Sequence, residues 1–126
     1  MSLIRILFLF LFLYLGAENS FGQSLPYQAL LKTLYDSSFP VVKPAQVTNL
    51  STYQVLDARE KTEHEVSHLQ NAIWVGHETF TLKSVAKLDK NKPVLIYCTV
   101  GARSEEIGKT LQKEGFTRVY NLYGGI

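Results

Sequence analysis

The sequence predicts an α/β fold with a mainly parallel sheet. Three observations lead there. Short strand-like and helix-like stretches alternate along the chain, which is the order of a layered α/β domain. Residues 94–96 are Val, Leu and Ile with no polar alternation, as expected of a strand covered on both faces in a parallel sheet. The chain has 126 residues, 46% hydrophobic and 19% charged, enough for one core and one domain.

The N-terminus reads as an export segment. Arg5 precedes an unbroken apolar run at residues 6–15 (ILFLFLFLYL), and Glu18 is the next charge. As a helix the uncharged stretch would reach roughly 18 Å, short of the ~30 Å hydrocarbon core. Small residues at Ser20 and Gly22 frame a cleavage site, so residues 1–22 are expected to be a cleaved signal peptide. The mature chain would then be exported, periplasmic or secreted, with no stable membrane span after cleavage; the alternative is that the segment is retained as an N-terminal anchor.

The elements follow in order. Residues 25–35 (LPYQALLKTLY) predict a helix, with Pro26 in its first turn. This helix lies in an N-terminal segment, residues 23–40. Residues 39–42 read as a short strand and 45–50 as a helical turn. Residues 53–58 (YQVLDA) form a strand, 61–68 a polar helix, and 72–75 (AIWV) a third strand. Residues 81–88 predict a helix with Leu82, Val85, Ala86 and Leu88 apolar. Residues 93–98 (PVLIYC) are the buried strand and 99–102 a loop. Residues 103–114 form a helix stopped by Gly115, and 118–122 (RVYNL) the last strand.

Charge and cysteine usage exclude several functions. Thirteen Lys+Arg against eleven Asp+Glu give +2, and the basic residues are scattered. That is too little for a nucleic-acid binder that neutralises phosphates. One cysteine excludes an internal disulfide framework and a multi-cysteine zinc site. In an exported chain, a cysteine without a partner points to a reactive thiol or an intermolecular link; the plain alternative is a buried, inert cysteine.

The neighbours of Cys98 favour the reactive thiol. Cys98 ends the most apolar strand and opens a loop leading into a helix, where ligands bind in open parallel sheets. A helix N-terminus presents unpaired N–H groups and a positive dipole end, which lower a thiol pKa and hold an anion. Gly101 permits a sharp turn. Arg103 adds a forked cation and Ser104 a hydroxyl. The run Cys98-Thr99-Val100-Gly101-Ala102-Arg103-Ser104 thus combines a nucleophile, an anion cradle and a cation.

These residues resemble the rhodanese-like domain. Its pieces occur in order: Leu56-Asp57-Ala58-Arg59-Glu60, Ser67-His68-Leu69-Gln70-Asn71-Ala72, the Cys98 to Ser104 loop, Gly115-Phe116, and Val119-Tyr120-Asn121-Leu122-Tyr123-Gly124-Gly125. The resemblance covers residues 41–126. It implies a three-layer α/β/α fold with a five-stranded, mainly parallel sheet. It also implies sulfur transfer through a cysteine persulfide, from a donor such as thiosulfate to a thiol or protein acceptor, without metal or organic cofactor. Carried over, Cys98 is the nucleophile, and Thr99, Val100, Gly101, Ala102, Arg103 and Ser104 bind the persulfide and the donor's anionic end. Asp57, Arg59 and His68 are read as structural support. Ser67 replaces the family's usual Gly, and Lys61 a frequent Pro. The family continues beyond Gly124-Gly125 with an aromatic segment and a final helix; either this chain is a fragment, or one sheet face is less covered.

Rival readings are a non-catalytic interaction module, and a phosphatase or arsenate reductase on the same fold. The module reading is opposed by the presence of both Cys98 and Arg103. Related phosphatases place five residues between cysteine and arginine, whereas four lie here, a tighter cradle suited to a terminal sulfur. His64-Glu65-Val66-Ser67-His68 fits the HExxH zinc-protease pattern, with His77, Glu78 or Asp89 as further ligands. Val66 is the one aliphatic in residues 60–68, too few to bury such a helix, so the pattern is read as incidental. Glu105 and Glu106 are expected to favour the dipole of their helix and to place negative charge near the site.

Overall fold

The computed structural model describes residues 25–126. The expected signal peptide at residues 1–22 lies outside the described residues. Helix α1 spans Leu25–Leu34; up to Thr33 it belongs to a unit separate from the remainder, Leu34–Ile126. That second unit holds the sheet. Among the described residues, no helix is long and apolar enough to cross a membrane.

Five strands build the sheet: β1 (Val41–Val42), β2 (Gln54–Asp57), β3 (Ile73–Trp74), β4 (Val94–Tyr97) and β5 (Val119–Leu122). Their order is β1-β5-β4-β2-β3, and all pairs are parallel. The apolar run of β4 forms the centre, with Val94, Leu95, Ile96 and Tyr97 fully buried. Each such aliphatic contributes on the order of 1.5–3 kcal/mol. Pro93 sits just before β4, where the absence of a donor does not break the ladder.

The strand period of two divides the core. Leu56 from β2 and Ala58 just after it, Val94 and Ile96 from β4 and Cys98 just after it, and Val119 from β5 face one side, against Ile107, Leu111 and Phe116. Val55, Leu95, Tyr97 and Leu122 face the other, against Val47, Leu50, Tyr53, Leu69, Ala72 and Tyr120. Helix α3 (Ala102–Lys113) covers the first side. It ends in a Schellman pattern: Gly115 N–H donates to the Gln112 carbonyl and Phe116 N–H to that of Leu111, each at 3.1 Å. The result is a three-layer α/β arrangement. The second side carries two 3₁₀ turns, Pro44–Gln46 and Leu50–Thr52, and Val47, Leu50 and Tyr53, within or beside them, pack against the sheet.

Local elements differ from expectation in three places. The turn expected at residues 45–50 is those two separate 3₁₀ turns. The helix expected at 81–88 is a 3₁₀ turn, Leu82–Val85. Its i→i+3 bonding continues as Leu88 N–H meets the Val85 carbonyl at 3.1 Å. Residues three apart eclipse in 3₁₀ geometry, so Val85 and Leu88 reach the same core without a full α-helix. Helix α2 is Lys61–Val66 and stops before His68, because Ser67 is extended (φ −162°). Its start is a capping box in which the Glu60 and Glu63 side chains cap each other's backbone N–H.

Candidate active site

The parallel sheet brings Cys98 to the carboxyl end of its central strand, facing the N-terminus of α3. Cys98 is 1% exposed. Its Sγ accepts hydrogen bonds from Gly101 N–H at 3.0 Å and faces Ser104 Oγ at 3.4 Å. Burial alone pushes this thiol up. Hydrogen bonds from the Ser104 hydroxyl and the N–H groups of Ser104, Gly101 and Val100 outweigh burial, leaving it below the ordinary thiol value.

The loop's shape depends on glycine at two points. Gly101 has φ +103°, in the left-handed region, which turns the chain into α3. Gly125, at φ +64°, packs against the Cys98 and Thr99 carbonyls so closely that a Cβ would collide with them. The adjacent Ile126 N–H donates to the Cys98 carbonyl at 3.0 Å.

Beneath the sulfur lies Asn121, fully buried, which reasoning from sequence missed. Its Nδ2 donates to the Gly101 carbonyl at 2.8 Å, and its Oδ1 accepts from Ser104 Oγ at 2.6 Å. Ser104 Oγ also lies 3.1 Å from the Gly101 carbonyl. One hydroxyl proton therefore has three acceptors in reach, Sγ included. The signal in the sequence was a polar residue on an inward position of an apolar strand.

Arg103 stands at the rim, its side chain 31% exposed. Its Nη2 donates to Thr99 Oγ1 at 3.1 Å. The carboxylates of Glu60 and Glu63, the two capping residues of α2, approach its guanidinium at 3.8 and 3.9 Å. The sequence-predicted loop thus divides into two groups. Val100, Gly101 and Ser104 surround the sulfur, while Thr99 and Arg103 form a rim. Ala102 begins α3. Glu105 is buried and accepts from Asp36 N–H at 2.7 Å, and Glu106 pairs with His77 Nε2 at 2.6 Å.

Asp57 and Arg59 lie apart from the sulfur, on the sheet face shared with Tyr97. Asp57 is 0% exposed. It accepts from Arg59 N–H at 2.9 Å, Arg59 Nε at 3.0 Å, Arg59 Nη2 at 2.9 Å and Tyr97 Oη at 3.0 Å, with His64 Nδ1 at 2.9 Å. Burial pushes Asp57 up, but these bonds outweigh it and hold the carboxyl below its usual value. The hydrogen bond to Asp57 in turn raises Arg59 against its own burial. Burial pushes Tyr97 up to about 12. Arg59 Nη2 also holds the Ser67 carbonyl at 2.6 Å, and Tyr97 Oη accepts from Leu69 N–H at 3.1 Å. The cluster therefore pins the 67–69 segment ahead of β3.

His68 is exposed. Its Nδ1 meets the His64 carbonyl at 2.8 Å, and the two imidazoles stack with centroids 3.9 Å apart. The HExxH-like spacing here gives stacked rings, one of them bound to Asp57.

The family model for the rhodanese-like domain matches residues 44–126. Over 77 residues, 57% of the chain, it is 40% identical to a tRNA uridine(34) hydroxylase of Aster yellows witches'-broom phytoplasma. Over 71 residues, 56% of the chain, it is 37% identical to the thiosulfate sulfurtransferase GlpE of Coxiella burnetii. The matched region spans 25% of the hydroxylase and 65% of GlpE. Among solved structures, a rhodanese-like domain protein from Staphylococcus aureus superposes with a TM-score of 0.60 at 23% identity, covering 69% of this chain and 87% of that one. The human single-domain sulfurtransferase TSTD1 gives 0.58 at 16% identity, covering 69% and 91%. These structural likenesses carry the fold.

Proposed function

Since the chain belongs to the rhodanese-like domain family, we propose that it is a sulfurtransferase that carries sulfane sulfur as a persulfide on Cys98. The observation that supports this most is the sulfur itself: a buried thiol that faces the Gly101 N–H at 3.0 Å and the Ser104 hydroxyl at 3.4 Å. Such a setting stabilises negative charge on sulfur.

The Cys98 thiolate attacks the outer sulfur of thiosulfate. A new S–S bond forms, the old S–S bond breaks, and sulfite leaves with the electron pair. The negative charge now sits on the outer persulfide sulfur, within reach of the loop amides. Arg103 would meet the sulfite oxygens at the rim. A second nucleophile, cyanide in vitro or a thiolate in the cell, then attacks the outer sulfur and restores the Cys98 thiolate. The Asp57–Arg59 cluster acts by holding the neighbouring loops. The apolar run at residues 6–15 supports export of the chain.

The similarity to tRNA uridine(34) hydroxylases favours a second reading, in which the same cysteine loop serves a larger protein acting on tRNA. The scattered basic residues and +2 charge give that reading no phosphate-binding face of its own.

The test is intact mass after thiosulfate treatment and desalting, beside Cys98→Ser. A gain of one sulfur, reversed by cyanide and absent in the variant, is the expected outcome. No gain in the folded protein, or a gain that persists without Cys98, overturns the proposal.

A further inference from the structure

Tyr35 precedes the family match, which begins at residue 44, yet it reaches the cysteine loop. Its hydroxyl donates to the Val100 carbonyl and accepts from Gly124 N–H at 2.8 Å. Its ring packs against Gly101, where any Cβ would collide with the phenol. Tyr123 meets it edge-to-face, with centroids 5.4 Å apart at 87°.

The Val100 carbonyl and the Gly101 N–H are opposite ends of one peptide plane. In a trans peptide they point in opposite directions, and no described bond is cis. Drawing the carbonyl toward Tyr35 therefore turns the N–H toward Cys98 Sγ, 3.0 Å away. This plane needs an anchor. Rotation beside a glycine is sterically cheap, and the flipped plane would turn a carbonyl oxygen toward the sulfur. The next plane has its own anchor, since Asn121 Nδ2 holds the Gly101 carbonyl at 2.8 Å.

We propose that Tyr35 is a positioning residue for the Cys98 site, its hydroxyl setting the Val100–Gly101 peptide so that the N–H faces the sulfur. The inference takes from the preceding section only that Cys98 is the reacting thiol. It adds a residue outside the family's motif, on the segment that enters the domain. Asp36, its neighbour, is tied to the same helix, with its N–H on Glu105 and its carboxylate 3.0 Å from Lys109 Nζ.

The test is Tyr35→Phe in the full chain, which keeps the ring against Gly101 and removes the hydroxyl. The readout is the rate of Cys98 alkylation by iodoacetamide as a function of pH. The rim charges of Arg103, Glu60 and Glu63, and Glu105 on α3, are the same in both proteins. The expected result is a profile displaced to higher pH, so that alkylation at neutral pH slows about three- to tenfold, the effect of one mis-set hydrogen bond, with an unchanged plateau at high pH. A second readout is the Gly101 amide proton resonance, which should move as Cys98 titrates in the native chain and move less in the variant. Superimposable alkylation profiles, or an amide response equal in both, would overturn the inference. Alkylation needs no sulfur donor, so its outcome is independent of whether the chain transfers sulfur.

Discussion

Replacing Arg59 with Met should destabilise the fold severely while leaving the chemistry of Cys98 intact. Asp57 is wholly buried, and three of its hydrogen bonds come from Arg59, two of them from the guanidinium. Met keeps much of the volume and the backbone N–H bond, but it leaves the carboxylate without its cation. Breaking a buried pair from one side costs about 3–5 kcal/mol, because the other charge stays behind. For a domain of this size that corresponds to a fall in Tm of about 12 °C or more. Adding Asp57→Asn removes the stranded charge, so the double variant should be more stable than Arg59→Met alone. Urea unfolding followed by far-UV circular dichroism measures all three differences. Asp57 and Cys98 occupy opposite faces of the sheet, so alkylation of Cys98 in the folded variant should agree with the native protein within about twofold, as for uncoupled sites. An Arg59→Met protein within about 1 kcal/mol of native, or a double variant no more stable than the single, would refute the idea that this pair is structural and buried.

The carboxylates around Arg103 should tune the use of anionic donors. Glu60→Gln with Glu63→Gln keeps the acceptors that cap α2 but removes both charges, and the KM for thiosulfate should fall about two- to fivefold at low salt. That range follows from the modest worth of exposed ion pairs, and the gain should vanish in high salt; steady-state kinetics at two ionic strengths decides it. Stability should also decline at both ends of the pH scale. The folded-state value of Asp57 is depressed, so its contribution is present above the unfolded value of about 4 and is lost as pH falls through the folded one. Tyr97 is raised from 10.0 to about 12, so the folded state retains a proton that the unfolded state releases, and stability falls across that window by roughly 2–3 kcal/mol. Urea midpoints measured from acid to alkaline pH test both limbs, and Tyr97→Phe should flatten the alkaline one.

The sheet was legible because β4 is apolar without interruption and its neighbours carry strand formers bounded by Pro and Gly. The loop was legible for a different reason: Cys98, Gly101, Arg103 and Ser104 lie within seven residues, so spacing alone brings them together. Asn121 was not, since it meets the loop only through the register that sets it beside Ile96. Tyr35 carries no local mark of its role, because its partners Val100 and Gly124 lie far along the chain. The His64–Asp57 bond was hidden by a spacing that suggested metal chelation. The structure ends α2 at Val66 and stacks His68 on His64. The residues at 81–88 show apolar spacing that a 3₁₀ turn satisfies as well as an α-helix does.

The burial of Cys98 restricts who can react with it. A disulfide between two copies would need their Cα atoms within roughly 4.4–6.8 Å of each other. A cysteine that is 1% exposed does not allow two folded surfaces to come so close. Covalent pairing of the chains at their lone cysteine is therefore sterically blocked while the loop keeps its shape. The same depth bears on reagents: a protein thiol would have to be carried on a narrow, protruding segment to meet a residue this buried. On the proposed chemistry, a persulfide would extend the reactive end by one S–S bond, about 2 Å, and would be easier for a bulky partner to reach than the bare thiol.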